Sequence, residues 1–143
     1  MLKNLEIKVN SIATSGKFIV YEDNDSFVFN AMEGSPTHME IAEHYGIRVY
    51  GIKKYNERGY PIRMRGGGNI AVDGEYLLLY GESISYGAVP MDLLKRLGKP
   101  LKESYTAQLQ KPIKSVIYRV NRVIGINEDV DINLLGQVEG QDE

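Results

Sequence analysis

A chain of 143 residues, 43% hydrophobic and 25% charged, has the size and composition of one globular domain with a single substantial core. Cysteine is absent, which excludes disulfides, a thiolate nucleophile and cysteine-ligated zinc; the two histidines, His38 and His44, do not by themselves make a metal site, and no cofactor is expected. A formal net charge of −2 argues against a dedicated nucleic-acid binder, and no long apolar run or signal-like N-terminal stretch is present, so a cytoplasmic protein without membrane association is expected.

The segment Leu5-Glu6-Ile7-Lys8-Val9 alternates, placing Leu5, Ile7 and Val9 on one face of a half-buried strand. A turn-rich break over residues 11–16 leads to a second strand over residues 17–21, and the polar turn 22–26 to a short strand, Phe27-Val28-Phe29. The clearest helix start is Ser35-Pro36-Thr37-His38-Met39-Glu40, either with Thr37 as N-cap and Glu40 completing a capping box or with Ser35 as N-cap and Pro36 at the first helical position. Both choices put His38 in the first turn, and Gly46 is the natural stop.

A strand is predicted over residues 47–52, a charged hairpin-like excursion over 53–59, and a further strand from Tyr60 into Gly66-Gly67-Gly68. Residues 69–72 and 75–80 around Asp73-Gly74 give the strongest hairpin signal, with Asp-Gly suiting a type I′ turn. A second helix is predicted over residues 90–97, with Leu93, Leu94 and Leu97 as its apolar stripe and Gly98 as its stop; a last strand covers residues 116–120. Strands and two helices that do not strictly alternate indicate an α+β fold rather than a doubly wound sheet. The domain is expected to span residues 1–126, with 127–143 an acidic, loosely attached tail.

Four features carry chemistry. His38 at a helix start combines an imidazole able to act as base or nucleophile with backbone N–H groups that attract phosphate; the same position also suits a helix-start residue with a satisfied hydrogen bond. Three successive glycines allow close backbone approach to a ligand, or a strand bulge, and lack the spacing of a Walker or dinucleotide loop. In Tyr80-Gly81-Glu82-Ser83-Ile84-Ser85-Tyr86-Gly87 two alternate serines offer hydroxyls and amides to an anion, or simply connect a strand to a helix. Lys17 at a strand start can supply a point charge, or be solvated.

In this order, Gly16-Lys17-Phe18-Ile19-Val20, His38-Met39-Glu40-Ile41-Ala42-Glu43, Gly66-Gly67-Gly68-Asn69-Ile70 and the Tyr80–Gly87 run resemble the protein histidine phosphatase (janus/ocnus) family over roughly residues 5–120. The resemblance implies an α+β fold with a small mixed β-sheet flanked by two helices, in which His38 is the catalytic base or nucleophile and Lys17 orients or balances the site. It also implies that the amides of Met39, Ser83 and Ser85, with the Ser83 hydroxyl, hold the phosphoryl oxygens. The implied reaction is metal-independent hydrolysis of phosphohistidine or a related phosphoramidate, on a phosphorylated protein or a small molecule. The alternative is a non-catalytic phosphate-binding or protein-interaction module on the same fold.

Three features depart from the family pattern: a longer segment between His38 and Gly66, with residues 51–59 as an inserted hairpin that leaves His44 as a second histidine to align; Asn69 where some relatives carry arginine; and the tail beyond about Ile126, which has no counterpart in the family. The helix start favours His38 over His44. The edges of the inserted strands offer a route to a homodimer. A basic surface over Arg48, Lys53, Lys54, Arg58, Arg63 and Arg65 reads first as a solvated face.

Overall fold

The computed structural model describes residues 5–123 and 126–132. Successive side chains of a strand point to opposite faces of the sheet, and here each face meets a different helix. In strand β2 (Ser15–Asp23), Phe18 and Val20 enter one core while Ile19 and Tyr21 enter another. Strand β3 (Ser26–Glu33) pairs antiparallel with β2 and divides the same way, Phe27, Phe29 and Ala31 against Val28. The first core is closed by helix α2 (Met91–Leu109) through Leu93, Leu94, Leu97, Leu101 and Tyr105. The second, smaller core is closed by helix α1 (His38–His44) through Ile41 and Ala42.

The sheet is completed by β1 (Glu6–Val9), β4 (Arg48–Tyr50), β5 (Lys53–Tyr55), β6 (Pro61–Asp73), β7 (Tyr76–Tyr80), β8 (Ser115–Val123) and β9 (Ile126–Asp131). Its order is β1-β3-β2-β6-β7-β8-β9, with β4 and β5 as a ribbon attached to β6. The pairs β1–β3 and β7–β8 are parallel and the others antiparallel, so the architecture is a mixed sheet with two helices. No helix among the described residues is long and apolar enough to cross a membrane.

Five elements differ from the sequence expectations. Helix α2 runs through Gly98 and Pro100 to Leu109, because Leu97, Leu101 and Tyr105 continue the buried stripe at four-residue spacing. That burial outweighs helix penalties of about 1 kcal/mol for glycine and about 3 kcal/mol for proline. Strand β6 is one continuous strand through the three glycines, not two; the β2–β6 register shift opposite Val20 and Tyr21 falls at Arg65 and Gly66, and Gly66 has φ +136°, so the first glycine takes part in the bulge expected there. The β6–β7 turn consists of Gly74 and Glu75, between the paired Asp73 and Tyr76; Gly74 alone has positive φ (+60°), the pattern of a type II′ rather than a type I′ turn. The strand expected over 47–52 ends at Tyr50 and turns at Gly51 and Ile52 into β5, so the hairpin is β4–β5 rather than 51–59, and the excursion at 53–59 divides into β5 and a separate turn that carries Gly59 at φ +84°. Residues 127–131, expected as the beginning of a loose tail, belong to β9 and pair with β8; the rest of that expectation, from 133 onward, lies outside the described residues.

Candidate functional site

The Thr37 hydroxyl accepts from the Glu40 N–H at 3.0 Å, and the Glu40 carboxylate accepts from the Thr37 N–H at 3.1 Å. This capping box makes His38 the first residue of α1 and fixes where its side chain leaves the helix. The N–H groups of His38 and Met39 have no acceptor one turn earlier, as at any helix start. Packing of Ile41 and Ala42 on the β2–β3 face lays that start over β6.

His38 is 8% exposed, and its Nε2 lies 2.9 Å from the Gly68 carbonyl oxygen. A carbonyl can only accept, so Nε2 carries the proton of the neutral ring and Nδ1 keeps a lone pair. Burial is the main influence that holds His38 below the ordinary histidine range; the bond to Gly68 opposes it, and the Lys17 cation adds to it. The ring is therefore neutral at pH 7, with a defined tautomer.

The register explains what surrounds it. Ile19 pairs with Gly67 and Lys17 with Asn69, and paired residues share a face, so Lys17, Gly67 and Asn69 all lie on the α1 side of the sheet. A Cβ on Gly67 would stand 2.8 Å from His38 Cδ2 and 3.3 Å from Ser83 Cβ; the missing side chain lets the histidine and the serine loop approach one point of β6. Where β7 leaves the sheet after Tyr80, the Gly87 carbonyl takes the Gly67 N–H at 3.0 Å and anchors the 83–87 loop.

The expected phosphate-binding groups are placed unevenly. Met39 is exposed at the second position of α1, and Ser85 is exposed in the loop. The Ser83 amide, expected to hold a phosphoryl oxygen, instead donates to the Gly87 carbonyl at 3.2 Å. Its hydroxyl accepts from the Tyr86 N–H at 3.0 Å, and the residue is 2% exposed, so Ser83 shapes the loop from inside. Lys17 is half-buried on β2. His44 is exposed in the last turn of α1, edge-on to Tyr45 with ring centroids 4.8 Å apart.

Three features of this region were not identified from the sequence. The Gly68 carbonyl fixes the histidine tautomer, and a backbone acceptor has no sequence signature. Asn69, seen only as a departure from a pattern, is half-buried beside Lys17, its amide nitrogen 2.6 Å from where a Cβ on Gly81 would stand. Lys54 of the β4–β5 ribbon sits 5.9 Å above the Tyr86 ring, so the inserted hairpin reaches the serine loop.

A crevice of about 390 Å³ lies on another part of the surface, lined by Tyr21, Asp23, Tyr45, Asn56 and Arg58 among others. Beneath it the fully buried Asn30 is satisfied by Asn10, Ser11 and Tyr21 at 2.7–2.9 Å, a network whose members bond to one another. Burial pushes the Tyr21 hydroxyl up to about 12. Among the described residues, no group of three His, Cys, Asp or Glu side chains is arranged to hold a metal ion. No family model matches the chain, and no curated protein matches it significantly.

Proposed function

We propose that the chain is a hydrolase of the phosphohistidine phosphatase type, acting on a P–N bond with His38 as base or nucleophile, in keeping with its resemblance to the protein histidine phosphatase family. The observation that carries this reading is the His38–Gly68 bond, which leaves Nδ1 as the one basic ring nitrogen in a site where the Lys17 cation acts on the ring. Nδ1 either takes a proton from attacking water or attacks phosphorus itself to form a phosphohistidine that water then hydrolyses, while the departing nitrogen leaves carrying a proton taken up from solvent. Lys17 offsets phosphoryl charge, and Met39 and Ser85, both exposed residues, offer the amides for its oxygens. A P–N bond weakens once its nitrogen is protonated, so positioning and electrostatics suffice for the chemistry.

The test is hydrolysis of phosphohistidine and phospholysine by the purified chain, followed by ³¹P NMR with chelator present. Turnover that disappears in His38→Ala and persists in His44→Ala is expected. Turnover that persists in His38→Ala and disappears in His44→Ala overturns the assignment.

The burial of His38 and the engagement of the Ser83 amide favour a second reading, a phosphate-binding module without turnover. Saturable inorganic phosphate binding, weakened by Lys17→Ala and unaccompanied by hydrolysis, would select it.

A further inference from the structure

Residues 48–65 carry six cations, Arg48, Lys53, Lys54, Arg58, Arg63 and Arg65, against the single acid Glu57. This local balance of +5 leaves −7 on the rest of a chain whose total is −2. Arg48, Lys53, Arg58 and Arg63 have no ion pair among the described residues. The concentration of charge coincides with the β4–β5 ribbon, which the sheet leaves uncovered. Among the described residues β4 pairs with β5 alone, so the backbone groups along its outer edge face outward.

The ribbon is also apolar where it is most exposed. Ile52 at its turn is 93% exposed, Tyr50 63% and Val49 56%. Val49 pairs with Lys54 on one face, while Arg48 pairs with Tyr55 and Tyr50 with Lys53 on the other. Each face therefore sets a cation beside an apolar or aromatic side chain, and the rings of Tyr50 and Tyr55 meet edge-on at 5.8 Å.

An open strand edge is a template for another strand, and charges on it decide which strand is admitted. A second copy of the chain would bring two segments of like charge, each +5 over residues 48–65, against one another, and the repulsion opposes that pairing. An extended segment of opposite charge meets the reverse condition. Its backbone completes the β4 ladder, its carboxylates meet Arg48 on β4 with the charge of Lys53 one strand behind, and its alternate apolar side chains cover Val49 and, at the turn, Ile52. A nucleic acid would satisfy the cations but neither the backbone edge nor the aliphatic groups. We propose that the β4–β5 ribbon is a docking edge for an acidic, extended polypeptide segment of a partner protein. The Lys54–Tyr86 contact ties the ribbon to the 83–87 loop, whose Ser83 borders the His38 site.

The experiment uses the full chain and needs no turnover at His38. Fluorescence anisotropy measures binding of a labelled peptide with the repeat Glu-Val-Glu-Ile, of the same peptide interrupted by proline, and of a labelled oligothymidine. Expected are saturable binding of the uninterrupted peptide, binding at least about tenfold weaker for the proline peptide, and weakening between about 50 and about 200 mM salt. Arg48→Glu with Lys53→Glu should weaken binding by a similar factor at unchanged melting temperature. The same charge change at exposed Lys99 and Lys111 should leave it within about twofold. Amide NMR shifts on peptide addition should centre on Arg48–Tyr50.

Three results overturn the proposal. The first is absence of saturable peptide binding, or equal weakening by the Lys99 and Lys111 control. The second is oligothymidine binding tighter than the peptide, which assigns the surface to nucleic acid. The third is a dimer in sedimentation that the Arg48 and Lys53 reversal dissociates, which assigns it to a second copy.

Discussion

Gly67→Ala tests the packing that brings His38 and the serine loop together. The new Cβ would lie 2.6 Å from the Phe18 carbonyl oxygen, 2.8 Å from His38 Cδ2 and 3.3 Å from Ser83 Cβ. Carbon atoms in favourable contact stand about 3.5–4.0 Å apart, so the imidazole must retreat by at least about 0.7 Å. The Phe18 carbonyl belongs to β2, which is paired on both edges and gives little. A retreat of that size stretches the 2.9 Å bond from Nε2 to the Gly68 carbonyl beyond hydrogen-bond range. Overpacking costs about 1–3 kcal/mol and the lost bond about 0.5–1.5 kcal/mol. Gly67 is not in the positive-φ region, so alanine is conformationally admissible and recovers about 0.4–1 kcal/mol through the unfolded chain.

The net expectation is a destabilisation of about 1–4 kcal/mol, or several degrees in melting temperature at about 2–4 °C per kcal/mol. Urea unfolding measures the first quantity. Long-range ¹H–¹⁵N NMR of His38 measures the second effect, loss of the fixed Nε2–H tautomer. Gly74→Ala is the control: its Cβ would meet nothing within 4 Å, so it should cost only the strain of a positive φ and leave His38 unchanged. Gly67→Ala with stability within about 0.5 kcal/mol of wild type and an unaltered His38 tautomer would refute the account of the site.

Because burial holds His38 below the ordinary histidine range, the unfolded chain takes up its proton first as pH falls. Wild-type stability relative to His38→Gln should be constant above about pH 6.5 and decline below it; a difference independent of pH between 5 and 8, measured by urea unfolding, would contradict this. Thr37→Ala removes the acceptor for the Glu40 N–H and should cost about 1 kcal/mol, with an effect on unfolding that is not additive with Glu40→Ala. The Tyr105 hydroxyl donates to the Ala13 carbonyl at 2.8 Å and accepts from the Ala13 N–H at 3.1 Å, all within the core. Tyr105→Phe should therefore lower the denaturant midpoint by the equivalent of about 2–4 kcal/mol, since two buried backbone groups lose their partner.

What could be read from the sequence follows the range of the interactions involved. The capping box, the Gly46 stop and the alternation in β1 are written within a few residues, and the structure has all three, with Gly46 at φ +83° after α1. The end of α2 was misread for the same reason. Gly98 and Pro100 are local stop signals, whereas the force that carries the helix past them is burial of Leu101 and Tyr105 against β-strands far away in sequence. Strand β6 likewise looked broken at its glycines because its continuity comes from pairing with β2 on one edge and with β7 and the 83–87 loop on the other.

The candidate site depends on register in a way that no motif expresses. Phe18 and Val20 must enter the α2 core, and that requirement alone sends Lys17 and Ile19 to the opposite face. Pairing then sets Gly67 against Ile19 and Asn69 against Lys17, beneath the start of α1. A slip of one residue in β2 would bury the lysine in the larger core and turn Phe18 toward His38. The hydrophobic core thus selects the register, and the register selects which polar groups His38 meets. The Ser83 amide illustrates the converse. Its sequence position suits an anion, yet once Gly87 anchors the loop to Gly67, the same turn supplies that amide with a carbonyl. A ligand on this face would therefore have to find its donors elsewhere; Met39 and Ser85 are exposed residues, and Lys17 is half-buried.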